Sequence, residues 1–320
     1  MRLTEPMRLV FLGTPAFAVP TLERLVEAGH RVLAVLTQPD RPRGRGRETA
    51  AAPAKQAALQ QGLTVYQPER VRRPEAVEYL RGLAPDAMVV VGYGQIIPQS
   101  VIDIPPLGIL NVHASLLPKY RGAAPVQWAV TRGETRTGVT IMRIDAGLDT
   151  GDILRTAETE IGPEENAIEL GERLSAMGAG LLVETLEDWA AGAIQPQKQE
   201  TAQATYAPIL KKEDGRIDWG LPAAAIHNRV RGFQPWPGAY TSFRRQTLNI
   251  WRSRVSAGPG TVGIASPGSF VSLKPPMVAA GEGALELVEV QLEGRKRLSA
   301  ADFANGQRLK ENEILGEPPR

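Results

Sequence analysis

The sequence predicts an α/β fold with a mostly parallel sheet, followed by a small all-β domain, and three observations carry that expectation. Short apolar, β-branched runs alternate with helical stretches through the first half, the pattern of βαβ units. The run DAMVVVGYG (86–94) is nearly continuous in apolar character, as a strand covered on both faces must be. Beyond residue 220 the helical pattern gives way to brief alternating strands between Gly and Pro turns, the spacing of a small antiparallel barrel.

Taken in order, RLVFLG (8–13) is the first strand, and a helix runs from about Ala16 to a stop at Gly29. RVLAVLT (31–37) is the second strand. A helix over 50–61, the short strand LTVYQ and the helix PEAVEYLRGL (74–83), with proline in its permitted first turn, lead to the central run at 86–94. GILNVH (108–113), GVTIMRI (138–144) and GDILRTAETEI (151–161) are further extended segments, and 164–191 is one long helix that Gly171, Gly178 and Gly180 weaken. A polar stretch then reads as a crossing between domains. The expected division is a catalytic domain over 1–195, a linker over 196–215 and a barrel over 216–320. The barrel holds a helix at 222–231 and strands AYTSF, TLNIWRSRV, GTVGIAS, SFVSLK and ALELVEVQ.

Composition narrows the chemistry. The 320 residues contain no cysteine, which removes disulfides, thiol nucleophiles and thiolate metal sites, and three dispersed histidines (His30, His113, His227) leave no zinc pattern. No metal is expected. No apolar run reaches the roughly 18 residues of a membrane span, and the opening MRLTEP is interrupted by Glu5 and Pro6, so it does not read as a signal peptide. The cytoplasm is the expected compartment. Residues 207–320 carry 16 basic against 11 acidic side chains, which suits either an ordinary surface or a polyanionic partner.

Within NVHASLLPKYRGAAPVQ (111–127), Asn111 and His113 stand two apart on an extended segment and so project together, while Val112 faces the other way. The carboxyl ends of strands in an open α/β sheet are where ligands bind, so this strand exit is a candidate site. In RIDAGLDTGDIL (143–154), Asp145, Asp149 and Asp152 lack the ligand spacing of a calcium loop; a single carboxylate beside the Asn/His pair is expected, with turn-capping the competing role for Asp145 and Asp152. FLGTPAF (11–17) fails as a dinucleotide or phosphate-loop fingerprint. TQPDRPRGRGRETA (37–50) sets Arg41, Arg43, Arg45 and Arg47 among Pro and Gly, either as a solvated loop or as a salt-sensitive nucleic-acid contact.

Together FLGTPAFAVPTLERL, TQPDRPRGRG, NVHASLLPKYRGAAPVQ and LDTGDIL resemble the folate-dependent formyltransferases over nearly the whole chain, and within them the branch that formylates methionyl-tRNA. The resemblance implies a Rossmann-like formyltransferase domain and an OB-like barrel. It implies 10-formyltetrahydrofolate as donor and initiator methionyl-tRNA as acceptor, with a monomer and no membrane partner. It places catalysis on Asn111, His113 and Asp149, and folate contacts on Ser115, Leu116, Leu117 and Pro118. The loop Gly94, Gln95, Ile96 and Ile97 would line the pterin pocket, and Arg45, flanked by Arg41, Arg43 and Arg47, would meet the acceptor arm. Where relatives often have lysines after that loop, this chain has RETAAA (47–52), so the loop's tail is expected to meet tRNA differently.

The implied chemistry suits the residues. An α-amine with a pKa near ~8 leaves enough free base to attack the formyl carbon at neutral pH. Asn111 and His113 N–H groups would hold the oxygen of the tetrahedral intermediate as its charge builds, and a partly buried Asp149 would move protons and orient His113. Two rivals share these features: a formyltransferase acting on a nucleotide-linked aminosugar, and a non-catalytic RNA-binding module, which leaves Asn111, His113 and Asp149 without a role. In the second domain, Lys211, Lys212, Arg229 and Arg231 are the basic candidates for RNA contact.

Overall fold

A computed structural model describes residues 5–43, 48–256, 265–311 and 313–316, with backbone alone over 41–43 and 48–50. The chain forms two compact units. The first comprises the chain to Pro125, Arg136–Glu160 and Gly171–Pro208; the second comprises Val126–Thr135, Ile161–Leu170 and the chain from Ile209 onward.

In the first unit, β1 (Arg8–Gly13), α1 (Val19–Glu27) and β2 (Arg31–Leu36) follow the expected order. The arginine-rich segment is next: β3 (Arg41–Arg43) and β4 (Glu48–Ala50) pair antiparallel, so its described flanks form a short ladder where the sequence suggested a loop. Arg45 and Arg47 lie outside the described residues. Then come α2 (Pro53–Gln60), β5 (Val65–Tyr66), α3 (Pro74–Leu83), β6 (Ala87–Val91), α4 (Gln99–Ile102), β7 (Ile109–His113) and β8 (Arg121–Gly122), followed in the chain by α5 (Pro125–Thr131), which belongs to the second unit from Val126 onward. After these run β9 (Arg136–Arg143), β10 (Ile153–Glu160), α6 (Ala167–Ala190) and β11 (Tyr206–Ala207).

Seven strands form one sheet in the order β10-β9-β7-β6-β1-β2-β5. The five from β7 to β5 are parallel, while β9 runs antiparallel to β7, and β10 to β9. From β1 the chain builds outward through β2 and β5, then returns to the other side of β1 with β6. The topological switch therefore lies between β1 and β6, and Gly13, Val91 and His113 end their strands on one edge. All five residues of β6 and of β7 are buried, as a sheet covered on both faces requires.

Helix α6 is continuous from Ala167 to Ala190 and packs against β7 and β9 of that sheet. The helix-weakening Gly178 has a packing reason: a Cβ there would sit 2.7 Å from Val112 Cγ1 and 3.2 Å from Val139 Cγ1, so only glycine lets the backbone come this close. Because Val112 points at α6, Asn111 and His113 point to the opposite side of β7.

Residues 196–208, the first part of the stretch read as a linker, are bonded into this unit. Gln197 bridges Ile153, and β11 pairs parallel with β8. The polar composition that suggests a linker reflects side chains spent on backbone groups instead.

The second unit contains α7 (Ala223–Gly232), β12 (Ala239–Phe243), β13 (Gln246–Val255), β14 (Phe270–Leu273), β15 (Pro276–Ala279), β16 (Ala284–Leu292), β17 (Leu298–Ser299) and α8 (Ala300–Gln307). The strands pair antiparallel in the order β12-β13-β16-β15-β14, with β17 on β16. Bulges at Ile250/Arg252 and Arg252/Ser253 break the β13–β16 register, the device that bends a sheet around a core, here built on Trp219, Ile226, Phe243, Phe270, Leu285 and Phe303. The expected strand GTVGIAS falls largely on 257–264, outside the described residues. The sequence reading missed α8, although Ser299, whose hydroxyl accepts the Asp302 N–H, gives it a legible cap.

Candidate active site

Asn111 and His113 stand together at the exit of β7. Asn111 is 8 % and His113 5 % exposed. The Asn111 carboxamide has no hydrogen-bonding partner among the described residues, which is unusual for a polar side chain at this depth and leaves its donors for something else. His113 is held at one nitrogen. Its Nε2 lies 2.9 Å from the Tyr120 carbonyl oxygen, which can only accept, so Nε2 carries a proton. That leaves Nδ1 facing the site, 3.7 Å from Asp149 Oδ2. That spacing lies outside hydrogen-bond range, and the two pair as ions only when the ring is protonated.

Two non-glycine residues in left-handed backbone flank the pair, Tyr120 at φ 61° and Asp149 at φ 52°. Each is fixed from outside. Tyr120 N–H donates to Thr205 Oγ1 at 2.9 Å. Gly122 N–H donates to Asp149 Oδ2 at 2.8 Å, which sets the carboxylate's orientation. Gly122 is itself required: its φ is +117°, and a Cβ would fall 2.7 Å from the Ala207 carbonyl oxygen. The Gln199 amide donates to the carbonyl oxygens of Asp149 at 2.8 Å and Gly151 at 2.7 Å. Its Oε1 accepts from buried Arg121 at 3.0 Å and 2.7 Å. The sequence reading missed Arg121, Gln199 and Thr205. No motif marks them, because their partners are backbone groups brought near only by the fold.

Of the other aspartates, Asp145 caps its own turn, accepting from Gly147 N–H at 3.0 Å and from the Thr150 hydroxyl at 2.7 Å. His30 and His227 lie elsewhere: burial pulls the His30 imidazole below its ordinary pKa, and His227 pairs with the Ser253 hydroxyl at 3.1 Å in the second unit. Among the described residues no group of three or more His, Asp or Glu side chains could hold a metal.

The residues expected at the folate divide into two kinds. Ser115 to Pro118 form a tight turn: the Ser115 hydroxyl is committed to the Lys119 carbonyl at 2.6 Å, and Leu117 N–H donates to Thr140 Oγ1 at 3.1 Å. Leu117 is buried and Leu116 and Pro118 are partly so. Gly94, Gln95 and Ile96 line an open cleft of about 580 Å³ with Gln38, Arg70 and Arg72, while Ile97 is buried beneath. The Gln95 carboxamide secures the neighbouring loop by accepting Val71 N–H at 2.7 Å. Ile96, 90 % exposed, stands in the open beside Arg70 and Arg72, with Glu69 also on the cleft wall.

Among the basic candidates of the second unit, Arg231 is corrected to a structural role. It is 7 % exposed and donates to the carbonyls of Gly162 at 3.1 Å and Glu165 at 2.8 Å. Arg229 donates to the Asp214 carbonyl at 3.2 Å, whereas Lys211 and Lys212 are exposed. No helix among the described residues is long and apolar enough to cross a membrane.

Comparison with known proteins gives a consistent picture. A family model described as formyl transferase matches residues 7–186, and one described as formyl transferase, C-terminal domain, matches 209–308. The methionyl-tRNA formyltransferase of Solibacter usitatus is 71 % identical, covering 97 % of this chain and 99 % of its own. That of Koribacter versatilis is 54 % identical over 97 % and 99 %. Among solved structures, a sugar 3N-formyl transferase with dTDP and 5-N-formyl-THF superposes with a TM-score of 0.67 at 17 % identity, over 92 % of this chain and 100 % of that one. HypX from Aquifex aeolicus in complex with tetrahydrofolic acid gives 0.62 at 17 %, over 94 % and 47 %.

Proposed function

This chain belongs to the formyltransferase family, and from that premise we propose that Asn111, His113 and Asp149 carry its reaction. The reaction is transfer of the formyl group of 10-formyltetrahydrofolate to the α-amino group of methionine on initiator methionyl-tRNA. Its strongest support is identity of 71 % over nearly the full length of both chains with a methionyl-tRNA formyltransferase. The folate supplies an activated formyl carbon; everything else falls to the protein.

The unpaired Asn111 amide supports a role as hydrogen-bond donor to the formyl oxygen as negative charge gathers there. For His113 the geometry narrows the role. Since Nε2–H is engaged by Tyr120, the ring reaches a ligand only through Nδ1, and it donates from that atom only as an imidazolium. Neutral His113 accepts a proton at Nδ1; charged, it donates, with Asp149 as counter-charge 3.7 Å away. Asp149 keeps one oxygen on Gly122 N–H, and its remaining lone pairs are suited to pass the proton released by the attacking amine toward the departing folate nitrogen.

The loop arginines Arg41, Arg43, Arg45 and Arg47 are assigned to the acceptor arm of the tRNA. Ser115, Leu116, Leu117 and Pro118 shape the folate side of the site from behind, and Gly94, Gln95, Ile96 and Ile97 face or support the cleft. The enzyme acts as a monomer in the cytoplasm. A formyl-transfer assay with charged initiator tRNA, charged elongator tRNA and a dTDP-linked aminosugar tests the reading. Formylation of the initiator is expected; formylation of the sugar alone would refute it.

A further inference from the structure

The segment Gln199–Thr205, whose composition reads as an interdomain linker, bonds to both sides of the catalytic pair. We infer that Gln199 is a positioning residue for Asp149, and that Thr205 is one for His113. This rests on the catalytic roles proposed above.

The first arm has three parts. Buried Arg121, 3 % exposed, donates from Nε and Nη2 to Gln199 Oε1, and among the described residues no carboxylate lies within ion-pair distance of it. This fixes which end of the carboxamide is oxygen, and so aims the Gln199 NH₂ group at the carbonyls of Asp149 and Gly151. Those two donors bracket a turn in which Asp149 holds a left-handed backbone at φ 52°, unfavourable for a residue with a Cβ. Without them the turn is free to relax, and the carboxylate moves away from Nδ1.

The second arm is shorter. Thr205 Oγ1 accepts Tyr120 N–H, and the same Tyr120 offers its carbonyl to His113 Nε2. The backbone of the segment reinforces this, because Arg121 N–H donates to the Thr205 carbonyl at 2.9 Å. Thr205 therefore holds both peptide groups of Tyr120, its hydroxyl the one that carries the N–H and its carbonyl the one whose oxygen selects the ring's proton position. Residues in such supporting roles are worth roughly 10- to 100-fold in rate when a reacting group shifts by an ångström.

Gln199→Glu separates positioning from folding. The glutamate keeps an oxygen for Arg121, now as an ion pair, but presents an oxygen in place of the amide donor to the carbonyls of Asp149 and Gly151. We expect thermal stability to hold, KM for 10-formyltetrahydrofolate to stay within about twofold, and kcat to fall roughly 10- to 100-fold. In an Asp149→Asn background the same change should alter the residual rate by less than about twofold, since groups acting as one unit are not additive. Thr205→Val provides the second arm, with the same split between kcat and KM and with little further loss in a His113→Asn background. A Gln199→Glu enzyme with wild-type kcat, or losses that multiply in the double variants, would overturn the assignment. Full activity of Asp149→Asn alone would instead sink the catalytic reading beneath it.

Discussion

Replacing Asn111 by alanine should separate the chemistry of this site from its folding. The carboxamide is almost buried yet has no protein partner among the described residues, so truncation orphans no hydrogen-bonding group. The small loss of packing is offset by relief of a polar group held largely away from water, and the net change in stability should stay within about 1 kcal/mol. For a chain this size that is a shift in Tm of no more than about 2–4 °C. The reaction should suffer far more. Loss of one donor to a developing oxyanion raises the barrier by about 2.7–4 kcal/mol, or roughly 10²–10³ in kcat. Single-turnover formylation of charged initiator tRNA, at saturating folate, reads that term directly, with a thermal melt on the same sample. A kcat within about threefold of wild type would refute the oxyanion role. A melt lowered by more than about 6 °C would show that the amide is a structural group.

Other consequences concern packing, charge and tRNA. Gly178→Ala should destabilise by about 1–3 kcal/mol in denaturant titration because its Cβ meets Val112, whereas Gly171→Ala, with open space around the new methyl, should stabilise by up to about 1 kcal/mol; equal effects would contradict the close approach of α6. Hydrogen bonds from Lys55 and Gln67 hold the Asp40 carboxyl below its ordinary pKa, so their contribution is present above the unfolded value and lost as pH falls through the depressed folded one. Lys55→Met should therefore lower stability at neutral pH, with a deficit that shrinks on acidification; a deficit that does not change with pH would rule the charge pair out. Replacing Arg43 and Arg45 by alanine should raise KM for tRNA and flatten its dependence on salt while leaving folate KM unchanged. An unchanged salt slope would free that loop of the role.

How much of this was legible in the sequence depends on where each partner sits along the chain. Asn111 and His113 are neighbours on one strand, so the period of two puts them on the same side, and the βαβ order puts the strand's exit at the ligand-binding edge. The roles themselves came from family resemblance. Which histidine nitrogen faces the site was not readable, because the Tyr120 carbonyl that decides it hangs on a left-handed turn held by Thr205, 85 residues away. Gln199 was hidden for the same reason: a polar side chain bonded to backbone looks, in sequence, like any solvated one. The composition of 196–208 suggested a connector, and the bridge at Gln197 with the β8–β11 pair shows a structural segment. Arg231 misled in the opposite direction, a surface-type residue buried against the carbonyls of Gly162 and Glu165. Gly178 looked like a helix weakness and is a packing requirement.

The position of the oxyanion tests the donor roles of Asn111 and His113 most directly. A crystal structure with a stable analogue of the tetrahedral intermediate should place its oxyanion about 2.7–3.1 Å from Asn111 Nδ2 and, with His113 as the imidazolium, from His113 Nδ1. An oxygen directed away from both atoms, with the Asn111 amide still unpaired in the complex, would contradict those roles.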